Sequence, residues 1–384
     1  MISVNLMNTD IPFHEITEKT GIPSARLKDG LDRGAIRVTE EGGMNALLFK
    51  KSLMDLEAGT VIYTGDEVEV IRGFPKIRRT LLLSPTLMEH FRDSVAVEEK
   101  MNGYNVRITR LSSGDTVAIT RGGHVCPFTT RKALELMDLD GFFSDHADLV
   151  VCGEMVGRDN PYVSQDYPEV GPLGFRVFDL REKNTNRPLP IKEKRDLLES
   201  YGLPPVCLFG IYPVEDAAEE VADIIRTLGK EGREGVVMKD PSMDLPPLKY
   251  TSSQAHAREL AYAFSYPFDF GRPFFFSRVI REGFQAYELD ESDEETLERA
   301  HRLGEAIIYP MLERIKAIAD GEAAYEDTVI DVDDMETAED FIRHLVHLGV
   351  SATLADYRDG KATVRRFYQA TTDRINNYLE GGLY

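Results

Sequence analysis

The stretch Val95-Ala-Val-Glu-Glu-Lys100-Met-Asn-Gly103-Tyr-Asn105-Val-Arg107-Ile-Thr109 constrains this chain more than any other. Two β-branched runs alternate apolar with polar residues, and Asn102-Gly103 between them is the strongest short turn signal a sequence carries. A strand, a tight turn and a second strand are expected, with one lysine held at the bend. A lysine beside such a turn is most often a solvated turn residue, so the case for a reactive amine rests on what accompanies it.

At 384 residues the chain exceeds what one core supports, since single cores stop growing near roughly 250–300 residues, and two to four units are expected. No run approaches the ~18 apolar residues of a membrane span, and Met1-Ile-Ser-Val-Asn-Leu-Met7 lacks the basic and apolar regions of a signal peptide. These features point to the cytoplasm. Cys126, Cys152 and Cys207 are odd in number and far apart, which reads as reduced thiols, with Cys152 and Cys207 in apolar runs expected in the core. The eight histidines are read as showing neither HExxH nor His-x-x-His spacing, so a protein-caged transition metal is not expected. A net charge of −21 argues at first against a nucleic-acid substrate. Its distribution reverses that: residues 286–341 hold 19 Asp/Glu against 4 Lys/Arg, leaving only −6 for the rest, which can carry a basic groove.

Residues 1–75 read as a small, mainly β module. Helices are expected at Phe13 to Thr20 and Ser24 to Arg33, with hairpins around Glu41-Gly42-Gly43 and Gly65-Asp66. Lys76, Arg78 and Arg79 follow as a basic patch. From 76 to 255, many short strands with helices at Arg131 to Leu139, Lys192 to Tyr201 and Asp216 to Leu228 argue α+β, with a mostly antiparallel sheet pair. Neither a P-loop nor a GxGxxG is present. Residues 256–325 begin with Phe264-Ser-Tyr-Pro-Phe-Asp-Phe-Gly-Arg-Pro-Phe-Phe-Phe276, a local core or a dimer interface. A long helix then runs from a capping box at Ser292/Glu295 to Ala319, kinked by Pro310. Two more helices, Met335 to Leu348 and Arg365 to Leu379, make residues 326–384 a helical C-terminal unit.

Lys100-x-Asn-Gly is followed, in order, by Thr120-Arg121-Gly122-Gly123, Cys152-Gly153-Glu154, Phe175-Arg-Val-Phe178-Asp179, Glu234-Gly-Val-Val-Met-Lys239 and Leu248-Lys249-Tyr250. Each piece is weak alone, and six in order are not coincidence. Together they resemble the covalent nucleotidyltransferases, and the whole chain is most similar to the archaeal homodimeric ATP-dependent RNA ligases. That resemblance implies a lysyl-AMP formed on Lys100 from ATP with Mg²⁺ or Mn²⁺. It implies Phe178 stacked on adenine, Glu154 and Asn105 on the ribose, and Arg121 orienting sugar and phosphate. Glu234 would bind the metal, with Glu154, or the attacking amine, and Lys249 would contact the α-phosphate. Glu98 bonding the adenine amino group and Lys239 contacting the nucleotide complete the set.

The sequence departs from the superfamily in having Asn102 where most members have Asp, and Pro247-Leu-Lys249 where many ligases place two lysines. Attack needs a neutral amine, a depression of roughly three units worth about 4 kcal/mol, for which Lys239 and Lys249 are candidate sources alongside the metal. The helical tail, in place of an OB-fold, favours an RNA ligase over a DNA ligase or a capping enzyme. The activity implied is joining of 5′-phosphate and 3′-hydroxyl RNA ends, possible circularisation included, through lysyl-AMP and RNA-adenylate. A non-catalytic nucleotide- or RNA-binding protein is the alternative from another class.

Overall fold

The computed structural model describes residues 11–65 and 67–384. Asp66 of the second expected hairpin, and the N-terminal segment read above for a signal peptide, lie outside the described residues. The chain opens with α1 (Phe13–Thr20) and α2 (Ser24–Asp32), followed by β1 (Ile36–Glu41), β2 (Met44–Phe49), β3 (Val61–Thr64) and β4 (Val68–Ile71) in one antiparallel sheet. One face of that sheet covers a core of Ile16, Ile22, Leu27, Phe49 and Ile62. The other buries Leu48, Val61 and Ile71 against Val117 and Ile119 of the next unit.

That unit comprises β5 (Arg78–Arg79), α3 (Leu83–His90), β6 (Ser94–Lys100), β7 (Tyr104–Arg110), β8 (Thr116–Thr120), α4 (Pro127–Leu136), α5 (Leu139–Asp145), β9 (Leu149–Val156) and β10 (Gly174–Glu182). It continues through α6 (Ile191–Ser200), β11 (Leu208–Pro213), α7 (Ala217–Lys230), β12 (Gly235–Lys239) and β13 (Leu248–Thr251). Two sheets result, ordered β10-β9-β7-β8 and β11-β6-β12-β13-β5. The α+β reading and the antiparallel sheet pair hold, with β13–β5 a parallel exception.

One local reading is corrected. The strands flanking Asn102-Gly103 do not pair with each other: β6 belongs to one sheet and β7 to the other, so Met101-Asn102-Gly103 is a crossover between sheets. Gly103 does not adopt the positive φ that a two-residue hairpin would demand. A Cβ there would collide with the carbonyl of Met155. Glycine is required by the close approach of β9, and the sequence signal for that is the same as for a turn.

The chain ends with α8 (Ser253–Ser265), α9 (Arg272–Glu288), α10 (Asp293–Ala319), β14 (Tyr325–Asp331), α11 (Met335–His347), β15 (Ala352–Arg358), β16 (Lys361–Phe367) and α12 (Gln369–Leu379). The capping box at Ser292/Glu295 is present, and α10 runs on through Pro310. The C-terminal region is mostly helical, but its last part is not helical throughout: β14, β16 and β15 form a three-stranded antiparallel sheet, and the expected helix from Arg365 starts only at Gln369. Asp359 and Gly360, both at positive φ, close the β15–β16 hairpin, an Asp-Gly signal that the basic Arg365-Arg366 pair obscured. This sheet and α11 share a core with Cys126 and Phe128 of the preceding unit. Cys126 and Cys152 are buried, whereas Cys207, expected in the core, is exposed just before the edge strand β11.

Candidate active site

The two sheets face each other across a cleft of about 430 Å³. Lys100, Glu98, Asn105, Arg121, Glu154, Phe178, Lys239 and Lys249 all line it, and Glu234 reaches it through its bond to Lys100. Residues spread over more than 150 positions of sequence thus meet at the mouth of the crossover. Phe74, Ile77, Met101, Val206 and Val237 supply its apolar wall.

At one end, Lys100 is the last residue of β6 and opposes Gly235, so the side chain of Glu234 lies beside it. Lys100 Nζ donates to Glu234 Oε2 at 2.6 Å. Burial pushes the amine down, but the carboxylates of Glu234 and Glu154 outweigh it and leave its pKa above the ordinary value. Lysine at rest is therefore an ammonium, and the expected depression of its pKa is absent from the free protein. Glu154 stands opposite Asn105 in the β9–β7 ladder; burial pushes its carboxyl up to about 7, against the pull of Lys100. Asn105 lines the cleft, and its Oδ1 is buried without a hydrogen-bond partner, an unsatisfied acceptor beside Glu154. Burial, with Arg79 and Lys100 nearby, brings Lys249 down to about 8. Arg79 pairs in register with Lys249 through the parallel β5 bridge and donates to Thr251 Oγ1 at 2.5 Å; it does not line the cleft but lies close enough to lower the pKa of Lys249.

At the other end, a bulge between Val177 and Asp179 rotates Phe178 into the cleft, where Phe74 meets its ring edge-on at 5.1 Å. Beneath the ring lies a buried ionic group. Lys239 Nζ contacts Asp179 Oδ1 at 2.7 Å and Glu98 Oε2 at 2.7 Å, and Lys194 Nζ contacts Glu98 Oε1 at 2.5 Å. Arg181 adds a bond to Asp179 at 3.1 Å. The charge of Lys239 is spent on these carboxylates, and it is not among the neighbours that act on Lys100. Both oxygens of Glu98 face lysines, so an adenine amino group would have to share them. Lys194 was missed from sequence, although Ile191, Lys194 and Leu198 lie at helical spacing on one buried face.

Arg121 is exposed at the end of β8, on a turn braced by the N-terminal unit. Gly59 packs so closely that a Cβ would strike the Arg121 carbonyl, and a Cβ at Gly123 would press on the Gly59 carbonyl. Arg107, quoted in the Lys100 motif, points away from the cleft and donates to the carbonyls of Arg72, Gly59 and Thr120. It joins the N-terminal unit to the strand that carries Arg121. Tyr162 and Leu348 also line the cleft; nothing in the sequence marks the latter, which the C-terminal unit delivers.

Comparisons with known proteins agree with this geometry. The family model described as RNA ligase matches residues 93–251, and that described as Ligase Pab1020 C-terminal region matches 262–382. An uncharacterised protein of Methanocaldococcus jannaschii is 41% identical over 384 residues, with 97% of each chain covered. A protein of Aquifex aeolicus named provisionally as an ATP-dependent DNA ligase is 28% identical, with a TM-score of 0.85, 93% of this chain covered and 99% of that one. A solved archaeal ATP-dependent RNA ligase (form 2) is 82% identical, with a TM-score of 0.96 over 98% of this chain and 100% of that one. At that identity across nearly the full length, the chain belongs to the family of archaeal ATP-dependent RNA ligases.

Proposed function

We propose that this chain seals RNA 5′-phosphate and 3′-hydroxyl ends in three steps: transfer of AMP from ATP to Lys100, transfer of AMP to the RNA 5′-phosphate, and attack by the 3′-hydroxyl. The observation that carries this reading is the placement of a single lysine, ion-paired to a buried carboxylate, between an aromatic slot and a basic end. In the first step the Nζ lone pair bonds to the α-phosphorus, the bond from that phosphorus to the bridging oxygen breaks, and pyrophosphate leaves. Glu234 Oε2, 2.6 Å away, is placed to receive the proton that the amine sheds. Phe178 stacks on adenine, Asn105 and Glu154 hold the ribose, and Lys249 and Arg121 face the phosphates, with Arg79 beside Lys249. Arg79 thereby supplies the charge of the missing first lysine of the last motif. Lys239 is proposed to act from below, by fixing the Glu98–Asp179 floor.

Two hard carboxylates, Glu154 and Glu234, crowd the amine, a donor set that fits Mg²⁺ or Mn²⁺. Such an ion supplies charge neutralisation on the departing pyrophosphate and competes with Lys100 for the carboxylates. The decisive experiment incubates the protein with α-labelled ATP and Mg²⁺ and runs a denaturing gel. Retained label supports the enzyme; ATP binding without label would support the nucleotide-binding alternative.

The same reading includes a homodimer. Residues Tyr266, Phe268 and Phe270 pack with Ile318 and Ile375 as a local core, so only part of the aromatic segment is free to pair. On α9, Phe276, Ile280, Phe284 and Tyr287 stay 38–79% exposed at helical spacing, and of the α10 apolar stripe only Ile318 is buried. An uncovered apolar helix pair of this kind is what a second copy would cover. Light scattering of wild type and of Phe276→Asp/Phe284→Asp tests it: a monomeric wild type refutes the dimer, and a dimer untouched by the pair moves its interface elsewhere. The division at 1–75, 76–255, 256–325 and 326–384 is proposed as the domain plan, with separate sheets or helix groups as support. A cytoplasmic site is proposed from the free thiols. No helix among the described residues is long and apolar enough to cross a membrane.

A further inference from the structure

Behind the cleft, three units of the chain converge on one buried carboxylate. Glu41, at the end of β1, is 3% exposed, and no lysine or arginine pairs with it among the described residues. Its Oε2 accepts the Val125 N–H at 2.9 Å, and its Oε1 accepts the Thr39 hydroxyl at 3.1 Å and meets His124 Nδ1 at 2.9 Å. His347 Nε2, from the last residue of α11, stands 3.9 Å from the same oxygen, with its ring 5.5 Å from that of His124. A buried carboxylate normally has a cation beside it, because desolvation otherwise drives it to neutralise. Here the surroundings offer imidazoles instead.

We infer that Glu41 Oε1, His124 Nδ1 and His347 Nε2 form a binding site for a divalent transition ion of the Zn²⁺ type. The three ligand atoms lie within 4.8 Å of one another. A tetrahedral ion with bonds of roughly 2.0–2.1 Å separates its ligands by roughly 3.4 Å, between the 2.9 Å of His124–Glu41 and the 3.9 Å of His347–Glu41, so the first pair must open and the half-exposed His347 must move in. A nitrogen-rich set of two imidazoles and one carboxylate favours Zn²⁺, Co²⁺ or Ni²⁺ over Mg²⁺. A second observation points the same way. His344, one turn before His347, is 8% exposed, and its Nε2 is buried with no partner. Burial first, then His124, pushes it down to about 4, so the ring stays neutral and able to ligate. It stands near the three ligands as a neutral imidazole, and a water fills the fourth position. Sequence spacing reveals only part of the site: His344-Leu-Val-His347 is a His-x-x-His pair, contrary to the expectation above, while Glu41 and His124 come from two other units.

The ion rivets the N-terminal and C-terminal units to the turn that carries the active-site arginine: His124 follows Arg121 by three residues, and Leu348, next to His347, lines the cleft. The inference goes beyond the ligase reaction and does not depend on it. The test uses the full chain, stripped by a chelator and titrated with Co²⁺ and with Zn²⁺ in the absence of ATP and Mg²⁺. Binding is read by the visible absorption of tetrahedral Co²⁺ and by calorimetry. Expected are one ion per chain and a higher Tm with Zn²⁺. Loss of a ligand's mere hydrogen-bond partner costs 10–100-fold in affinity, so His347→Ala, at an exposed position, should weaken binding by at least ~100-fold. Glu234→Ala should leave it unchanged. No binding to wild type, or equal binding to His347→Ala, would overturn the site and leave a hydrogen-bonded junction. Loss of binding in Glu234→Ala would move the ion to the cleft and equally overturn it.

Discussion

The two ends of the cleft hold similar inventories, lysines and carboxylates from the same strands, yet differ in whether those charges are mutually satisfied. Under Phe178, Lys239 meets two carboxylates, Lys194 supports one and Arg181 the other. Around Lys100, one ammonium faces Glu234 and Glu154, while Lys249 and Arg79 crowd each other on the far side. Glu98 shows the contrast with Glu154. Burial raises both, but Lys239 and Lys194 hold Glu98 below its ordinary value, whereas Glu154 is left at about 7. A compensated group is architecture. An uncompensated one is held ready for a ligand that completes it.

Removing the amine should break this contrast most visibly. Lys100→Ala is expected to lower self-adenylation by more than roughly 10⁴-fold, while RNA already carrying a 5′-adenylate is still sealed. Retention of label by the variant, or loss of both steps in a folded protein, would count against Lys100 as nucleophile. Next in size is Asp179→Asn, which strips the buried Lys239 of a counter-charge and should cost about 3–5 kcal/mol in denaturant unfolding. Its mirror image is Glu154→Gln, which relieves a crowded buried charge: stability should move by no more than about 1 kcal/mol while adenylation falls. Equal stability losses at the two sites would erase the distinction.

Phe178→Ala should weaken ATP binding by about 1–3 kcal/mol, read by calorimetry, with Tm little changed since Phe178 is only partly buried. The smallest effect concerns acid. Glu98 and Asp179 lie below their ordinary values of 4.5 and 3.8, so the folded state holds their protons less tightly than the unfolded one. Their contribution is complete above those values and disappears as pH falls beneath them. Wild type should therefore lose stability below about pH 4 more steeply than Asp179→Asn, by urea midpoints at successive pH values.

Legibility followed the same divide. Motifs that carry chemistry were readable because their residue types are restricted: all nine candidate residues meet at one cleft. The strands were readable from alternation, and Phe13 to Thr20 appears as the helix expected. What stayed hidden depends on contacts distant in sequence. Asn102-Gly103 looks the same whether the chain turns back or crosses to another sheet. Lys194 looks solvated until Glu98 is brought beneath it, and Arg107 looks like a motif residue until its guanidinium is seen between two units. The C-terminal sheet was missed because acidic, alternating strands on a partly exposed face carry weak hydrophobic signal.

The crossover at Met101–Gly103 makes Lys100 the end of a strand in one sheet and Asn105 the second residue of β7, which begins at Tyr104 in the other. Under the proposed mechanism, AMP on Lys100 would be bonded to the first sheet while its ribose is held by the second. The intermediate is then a tether spanning the gap, and pulling the walls apart would mean peeling sugar from protein. Adenylated enzyme should breathe less than free enzyme, with slower amide exchange in β6 and β7, until RNA takes the nucleotide and restores the mobility of both walls.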